Sequence, residues 1–196
     1  ETVNIVTVED PVEANIDGVN QIQVNPKADM TFASALRSIL RQDPDIIMIG
    51  EIRDPETAEI AVQASITGHL VASTLHTNST SASIARLLNM GIEPYLMADA
   101  LVGVVAQRLV RKLCRCKRGR EATAQEKEEL GVNQDEVLTI YEPAGCQLCS
   151  QTGYFGRTAV YEMMPVTPEL RWAITKMQPS SKVKEIAQRE GMITLR

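Results

Sequence analysis

Three short stretches of this sequence each place acidic or imidazole side chains directly after an apolar run. The first is Glu9-Asp10-Pro11, with Glu13 close behind. The second is Gly50-Glu51-Ile52-Arg53-Asp54, and the third is His76-Thr77-Asn78. Ligands of open parallel sheets sit just beyond the carboxyl ends of the strands. Acid, acid and imidazole at one such edge is what hydrolysis of a magnesium nucleotide needs. Carboxylates hold the metal's water shell or orient the attacking water, and polar groups read the γ-phosphate.

Glu51 is the strongest of these candidates, because it ends a continuous apolar run, Ile46 to Ile49. The bland alternative is an acid near a helix start, paired with Arg53. For Glu9 and Asp10 the alternative is ordinary turn chemistry before Pro11. The two histidines, His69 and His76, would lie ~23 Å apart on one extended strand at ~3.3 Å per residue, and on opposite faces. Both reach one phosphate only if the strand ends early. His76, at the carboxyl end, is the phosphate-sensing candidate. His69 serves either a partner surface or a structural hydrogen bond.

Four cysteines come as Cys114-x-Cys116 and Cys146-x-x-Cys149. Two close pairs of thiolates can enclose a tetrahedral zinc that staples a segment too small for its own core. The other reading is inert buried thiols. The first pair is one residue shorter than usual, which predicts strain in its chelate loop. With no open coordination position, the metal would be structural.

Periodicity supplies the elements that must position these residues. Asn4 to Val8, Ile22 to Val24, Asp45 to Gly50 and His69 to Leu75 read as strands. Thr31 to Leu40, a segment opening at Asp54-Pro55-Glu56 and closing at Gly68, Thr80 to Met90 and Pro94 to Leu113 read as helices. Strand and helix in alternation predict a parallel α/β sheet. From Cys114 to near Glu162 the pattern breaks into a loop-rich segment, and two helices close the chain, about Glu169 to Met177 and Lys182 to Glu190.

The 196 residues are 44% hydrophobic but 4% aromatic, so the core is expected to be aliphatic. The net charge of -5 argues against a general nucleic-acid binder. Seven basic residues cluster between Arg108 and Arg120, and six acids follow between Glu121 and Glu136. Such blocks are usually solvated faces. No signal peptide or spanning apolar stretch is present, which reads as a soluble cytoplasmic chain. It starts on a glutamate already inside an apolar-alternating segment, so a fragment is expected. No G-x-x-x-x-G-K-[ST] occurs, so the loop that cradles β- and γ-phosphates is missing. The 196 residues alone are therefore expected to hydrolyse no ATP.

In this order the motifs resemble the secretion ATPase superfamily of bacterial hexameric motors, over essentially the whole chain. VEDPVE (Val8 to Glu13) is similar to its aspartate box, and LRQDPDIIMIGEIRDPETA (Leu40 to Ala58) to its Walker B region, with Gly50 where an aspartate is usual. TGHLVASTLHTN (Thr67 to Asn78) is similar to its histidine box. AQRLVRKLC, the cysteine pairs, GYFGRTAVYEMM and EGMITLR resemble its cysteine-containing and closing segments. The resemblance implies a RecA-like parallel sheet with flanking helices, here partial, plus a small zinc-binding subdomain and C-terminal helices. The expected divisions are residues 1–113, 114–162 and 163–196.

By that resemblance Glu51 is the Walker B glutamate, Glu9 and Asp10 are the aspartate-box acids, and His69 with His76 form the histidine-box pair. Glu51, Glu9, Asp10 and His76 are expected to be catalytic. Glu13, Arg53 and His69 are assigned to nucleotide binding, and Cys114, Cys116, Cys146 and Cys149 to metal. ATP, Mg2+ and Zn2+ are the implied cofactors. The implied assembly is a homo-hexamer at the cytoplasmic face of the inner membrane, working on a membrane platform protein, with no nucleic acid. VNPK within GVNQIQVNPKADMTFASALRSILRQDPD points to type IV pilus assembly, with type II secretion as the alternative. A competing class is a zinc-ribbon module on an inactive α/β domain, binding nucleic acid or protein through its basic residues. Poor aromatic supply and the acidic net charge stand against it.

Overall fold

In the computed structural model, which describes residues 3–195, the chain opens with two parallel strands, β1 (Ile5–Glu9) and β2 (Asn20–Gln23). Helix α1 (Phe32–Ile39) follows. The Thr31 hydroxyl accepts from the Ser34 N–H, while the Ser34 hydroxyl accepts from the Thr31 N–H. This reciprocal cap satisfies two donors that a helix start leaves open. β3 (Ile46–Ile49) then inserts beside β1, α2 (Pro55–Ile66) crosses over, and β4 (Leu70–Ser73) pairs with β3. The order β2-β1-β3-β4 is parallel throughout.

Burial explains the arrangement. Val6 and Val8 on β1, Ile47 and Ile49 on β3, and Leu36 and Ile39 on α1 share one aliphatic core. Ile46 and Met48, on the other face of β3, are half-buried, so this face is less completely covered than a continuous apolar run suggests. β2 and β4 are the edge strands, and Leu70 on β4 is exposed. Helices α3 (Thr80–Asn89) and α4 (Pro94–Ala100) add Ile84, Leu87 and Met97 to this core.

The helix expected from Pro94 to Leu113 stops at Ala100. Leu101 is already extended, and β5 (Gly103–Leu113) replaces the second half. Val102, Gly103, Val104 and Val105 are the cause: β-branched side chains and glycine all disfavour helix. The segment expected to be loop-rich also contains strands. β6 (Arg118–Glu121) and β7 (Thr139–Glu142) form an antiparallel pair, with α5 (Ala124–Glu129) between them in the chain. β8 (Tyr154–Pro165) pairs with β5. The Cys114 N–H donates to the Gly153 carbonyl, and the Val166 N–H to the Val102 carbonyl, so this pair is antiparallel too. Last come α6 (Pro168–Thr175) and α7 (Ser180–Arg189), which place Leu170, Ile174, Val183 and Ile186 in the aliphatic core.

The described residues form two compact units. One runs up to Ala106 and includes Glu162–Thr194, and the other is Gln107–Tyr161. Among the described residues, no helix is long and apolar enough to cross a membrane.

The loop after β3 enters α2 through Asp54, whose carboxylate accepts from the Thr57 N–H and the Thr57 hydroxyl, each at 2.8 Å. Thr57 is fully buried. Asp54→Ala removes the cap and strands the hydroxyl, and is expected to cost about 1–2 kcal/mol. A urea unfolding midpoint unchanged from the parent would contradict this account.

Candidate functional site

β1, β3 and β4 are neighbours and run parallel, so their carboxyl ends converge at one edge of the sheet. Backbone contacts continue past the strands and tie the three ends together. The Gly50 N–H donates to the Val8 carbonyl at 2.8 Å, and the Ile52 N–H to the Thr74 carbonyl at 3.0 Å. The Thr74 hydroxyl donates to the Gly50 carbonyl at 2.6 Å. Gly50 suits this position, because a Cβ would stand 3.3 Å from the Val8 carbonyl oxygen and 3.4 Å from the Glu9 Cα, close enough that β1 would have to give by a few tenths of an ångström. An aspartate side chain in its place would be pushed against β1.

Glu51 follows, with its side chain 12% exposed. One carboxylate oxygen accepts from Arg53 Nε at 2.5 Å and meets His76 Nε2 at 2.9 Å. The Arg53 hydrogen bond, reinforced by His76, holds the Glu51 carboxyl below its ordinary value of 4.5, against the opposing effect of burial. Arg53 and His76 are far more exposed, at 65% and 81% of their side chains. The structure thus unites Glu51, Arg53 and His76, and the pairing with Arg53 that counted as the bland reading is present as well.

Glu9 is held by a different set. Thr7 and Glu9 alternate onto one face of β1, and Gln21 stands opposite Thr7 on β2. The Thr7 hydroxyl donates to Glu9 Oε1 at 2.6 Å and Gln21 Nε2 donates to the same oxygen at 2.9 Å. These bonds, with one from the Glu13 N–H, draw the Glu9 carboxyl below its ordinary value. Glu13 takes part through its backbone and leaves its side chain exposed. Asp10 is exposed, and its charge acts on Arg53. Gln21 also donates to the Ala14 carbonyl and accepts from the Ile16 N–H, which closes the loop after Glu9. Sequence reading missed Thr7, Gln21 and Thr74; strand alternation on β1 was a signal for Thr7 alone, since it shares a face with Glu9.

His69 stands apart. It precedes β4, where its Nδ1 lies 3.0 Å from the Ala64 carbonyl and 3.3 Å from the Thr67 hydroxyl. β4 ends at Ser73, so His76 lies beyond the strand and turns toward Glu51. This geometry gives His69 a structural hydrogen bond at the end of α2.

In the unit Gln107–Tyr161 the four cysteine sulfurs lie within 4.8 Å of one another. Cys114 and Cys146 are 3.9 Å apart, Cys116 and Cys149 3.9 Å, and Cys146 and Cys149 3.7 Å. A tetrahedron with ~2.3 Å metal–sulfur bonds has edges of about 3.8 Å. The donor set therefore fits a tetrahedral thiolate metal, and the short Cys114-x-Cys116 pair reaches it. Burial opposes ionisation of Cys149, but N–H donors from Cys146 and Gly153 outweigh it and lower this thiol to about 6. Burial pushes Cys116 up to about 11. Gly153 has φ +77°, and a Cβ there would meet the Pro143 Cβ at 2.4 Å. Of the basic cluster, Arg111 lies over Tyr154, Lys117 lies over Tyr141, and Arg120 pairs with Glu126 and Glu142.

The family model described as "Type II/IV secretion system protein" matches residues 1–196. The chain belongs to this family. It is 51% identical over 196 residues to the type IV pilus assembly ATPase PilB of Thermus thermophilus, covering 98% of this chain and 22% of that protein. It is 55% identical over 169 residues to the type II secretion system ATPase E of Vibrio cholerae, covering 86% of this chain and 34% of that protein. It therefore spans about a third or less of these relatives. Among solved structures, the pilus retraction motor PilT with bound ADP is 28% identical, with TM-score 0.64, over 100% of this chain and 51% of that one. The α/β class and parallel sheet expected of a RecA-like domain are present.

Because Arg53 is the leading cause that lowers Glu51, Arg53→Ala is expected to raise the Glu51 carboxyl toward 4.5. The sign follows from linkage. A depressed carboxyl contributes stability above its unfolded pKa and loses it as pH falls through the folded value. The variant should therefore lose less stability on acidification than the parent. Carboxylate NMR titration reads the shift directly, and an unmoved Glu51 would remove Arg53 as its cause.

Proposed function

We propose that this chain carries the acidic and imidazole half of an ATP-hydrolysing site in a motor of the family. The observation that carries the reading is Glu51 at the converged strand ends, ionised and within hydrogen-bond reach of both Arg53 and His76. Glu51 orients the attacking water and accepts hydrogen bonding from it, while Arg53 and His76 face the phosphates. Glu9 and Asp10 complete the acidic edge. Mg2+, when bound, supplies charge neutralisation on the phosphate oxygens, with Glu51, Glu9 and Asp10 as the residues able to hold its water shell. The reading requires a phosphate-cradling loop in addition to these residues, since no G-x-x-x-x-G-K-[ST] occurs among them. Of the sheet's two edges, β4 is the one nearer Glu51, one strand away, and a further strand added there would bring such a loop beside it.

The finer reading is a homo-hexamer driving type IV pilus assembly through an inner-membrane platform protein, from the cytoplasmic side. The pilus assembly relative and the type II secretion relative match at similar identity. They support the motor reading in common, and the choice of pilus assembly rests on the VNPK segment around Pro26.

In the full-length protein, Glu51→Gln keeps shape and removes charge. Turnover should fall about 10²–10³-fold, the loss typical of a preorganised transition-state group, with nucleotide affinity nearly retained. Turnover close to the parent's would transfer the role to another acid, Glu9 first.

We also assign zinc to Cys114, Cys116, Cys146 and Cys149, in a subdomain within residues 114–162. Elemental analysis of protein purified without chelator should give about one zinc per chain. Structural zinc contributes on the order of 10 kcal/mol to folding small units. Its removal should therefore loosen the second unit while the parallel sheet persists by circular dichroism. Zinc near zero with four freely titrating thiols would leave ordinary cysteines.

A further inference from the structure

We infer that Glu162 is a positioning residue for His76, an inference whose kinetic arm rests on the hydrolysis reading above. Glu162 lies on β8 and is 4% exposed. A carboxylate buried this deeply needs close donors. Its Oε1 accepts from the Thr80 N–H at 2.9 Å and from the Thr80 hydroxyl at 2.6 Å. Thr80 is fully buried and is the first residue of α3. Its N–H is one of the amides that a helix start leaves without an internal partner, and a carboxylate there sits at the positive end of the helix dipole. The local cap is already present, since the Ser79 hydroxyl accepts from the Ala82 N–H. Glu162 adds a second clamp from 82 residues away.

The turn held in this way is the one that leads out of His76. The Thr77 and Ser83 hydroxyls meet at 2.7 Å, which fastens the residue after His76 to α3. On the other side, Thr74 is fastened to the loop after β3 through the Gly50 carbonyl and the Ile52 N–H. His76 is thus suspended between two anchors. Its side chain is 81% exposed, so packing does little to hold the imidazole 2.9 Å from Glu51. The backbone anchors must do so, and Glu162 fixes the helix that carries one of them. The Met192 sulfur lies 3.5 Å from the Thr80 hydroxyl and packs against the same turn from a third direction.

The test uses the full-length protein with Glu162→Gln, and Thr80→Ala as the milder variant should the first not fold. For Glu162→Gln, turnover is expected to fall about tenfold with KM for ATP within about threefold. In a His76→Ala background the same substitution should cost less than about twofold, because residues that act through one another are not additive. Hydrogen exchange should rise in peptides covering residues 74–83 and stay unchanged in those covering β1 and β3. Thr80→Ala should move each readout in the same direction by less. Fully additive kinetic losses, or unchanged exchange at 74–83, would overturn the assignment. A parent protein without ATP turnover would instead defeat the hydrolysis reading, and the exchange measurement would still decide Glu162.

Discussion

The position of β3 between β1 and β4, parallel to both and in fixed register, is the constraint from which the rest of the first unit follows. A one-residue slip of β3 would exchange its faces, taking Ile47 and Ile49 out of the core and swinging Glu51 away. The register is locked at the strand ends as well as in the ladders. Gly50 extends the pairing with β1 through its N–H on Val8, and Ile52 extends the pairing toward β4 through Thr74. Because Gly50 lies against the Glu9 backbone, the first residue after the core run carries no side chain, and the next one is the acid.

That acid and its partners differ in freedom. Glu51 is nearly enclosed, whereas Arg53 and His76 stand mostly in solvent. An exposed ion pair is worth little after screening and side-chain entropy, so exchanging Arg53 for another partner costs little. A polyphosphate at the strand ends would compete for both partners and release lone pairs on the Glu51 carboxylate. On the proposed reading, the enclosed carboxylate is the group that orients water, and the exposed side chains are those that turn to a ligand. Burial of Glu51 against exposure of its partners is the physical basis of that division.

Through residue 100 the fold was legible because its signals were local: apolar runs, caps at Thr31 and Asp54, and prolines at helix starts. Legibility failed at 101–113, where a short apolar stretch rich in valine fits either period and pairing with β8 decides the outcome. That Glu51 and His76 lie at one sheet edge could be read from strand polarity, whereas for His69 the sequence left a partner surface and a structural hydrogen bond open. Thr74, Gln21 and Glu162 could not be read. They bond to partners 24, 12 and 82 positions away, and no local pattern distinguishes a glutamate that caps a distant helix from one on the surface. The short Cys114-x-Cys116 pair was expected to strain its loop, yet the spacing of four sulfurs depends on where two strands bring the pairs, not on either pair alone.

The unit that holds those sulfurs is organised on a different principle from the sheet. Its buried residues include Cys114, Ala122, Cys149 and Lys127, while Leu109, Leu130, Val137, Tyr141 and Phe155 are exposed. Aliphatic burial of the kind that joins α1, β1 and β3 is scarce in it. Polar contacts stand in that place. Arg120 bridges Glu126 and Glu142, holding Glu126 down to about 2, and Lys127 donates to the Gln134 carbonyl. Such contacts orient a chain better than they stabilise it. A unit this poor in core is of the kind that a metal cross-link stabilises, and the four clustered sulfurs are placed to hold one. Two N–H donors lower one thiol of the cluster, Cys149, while burial raises another, Cys116, so the fold prepares the four sulfurs unequally.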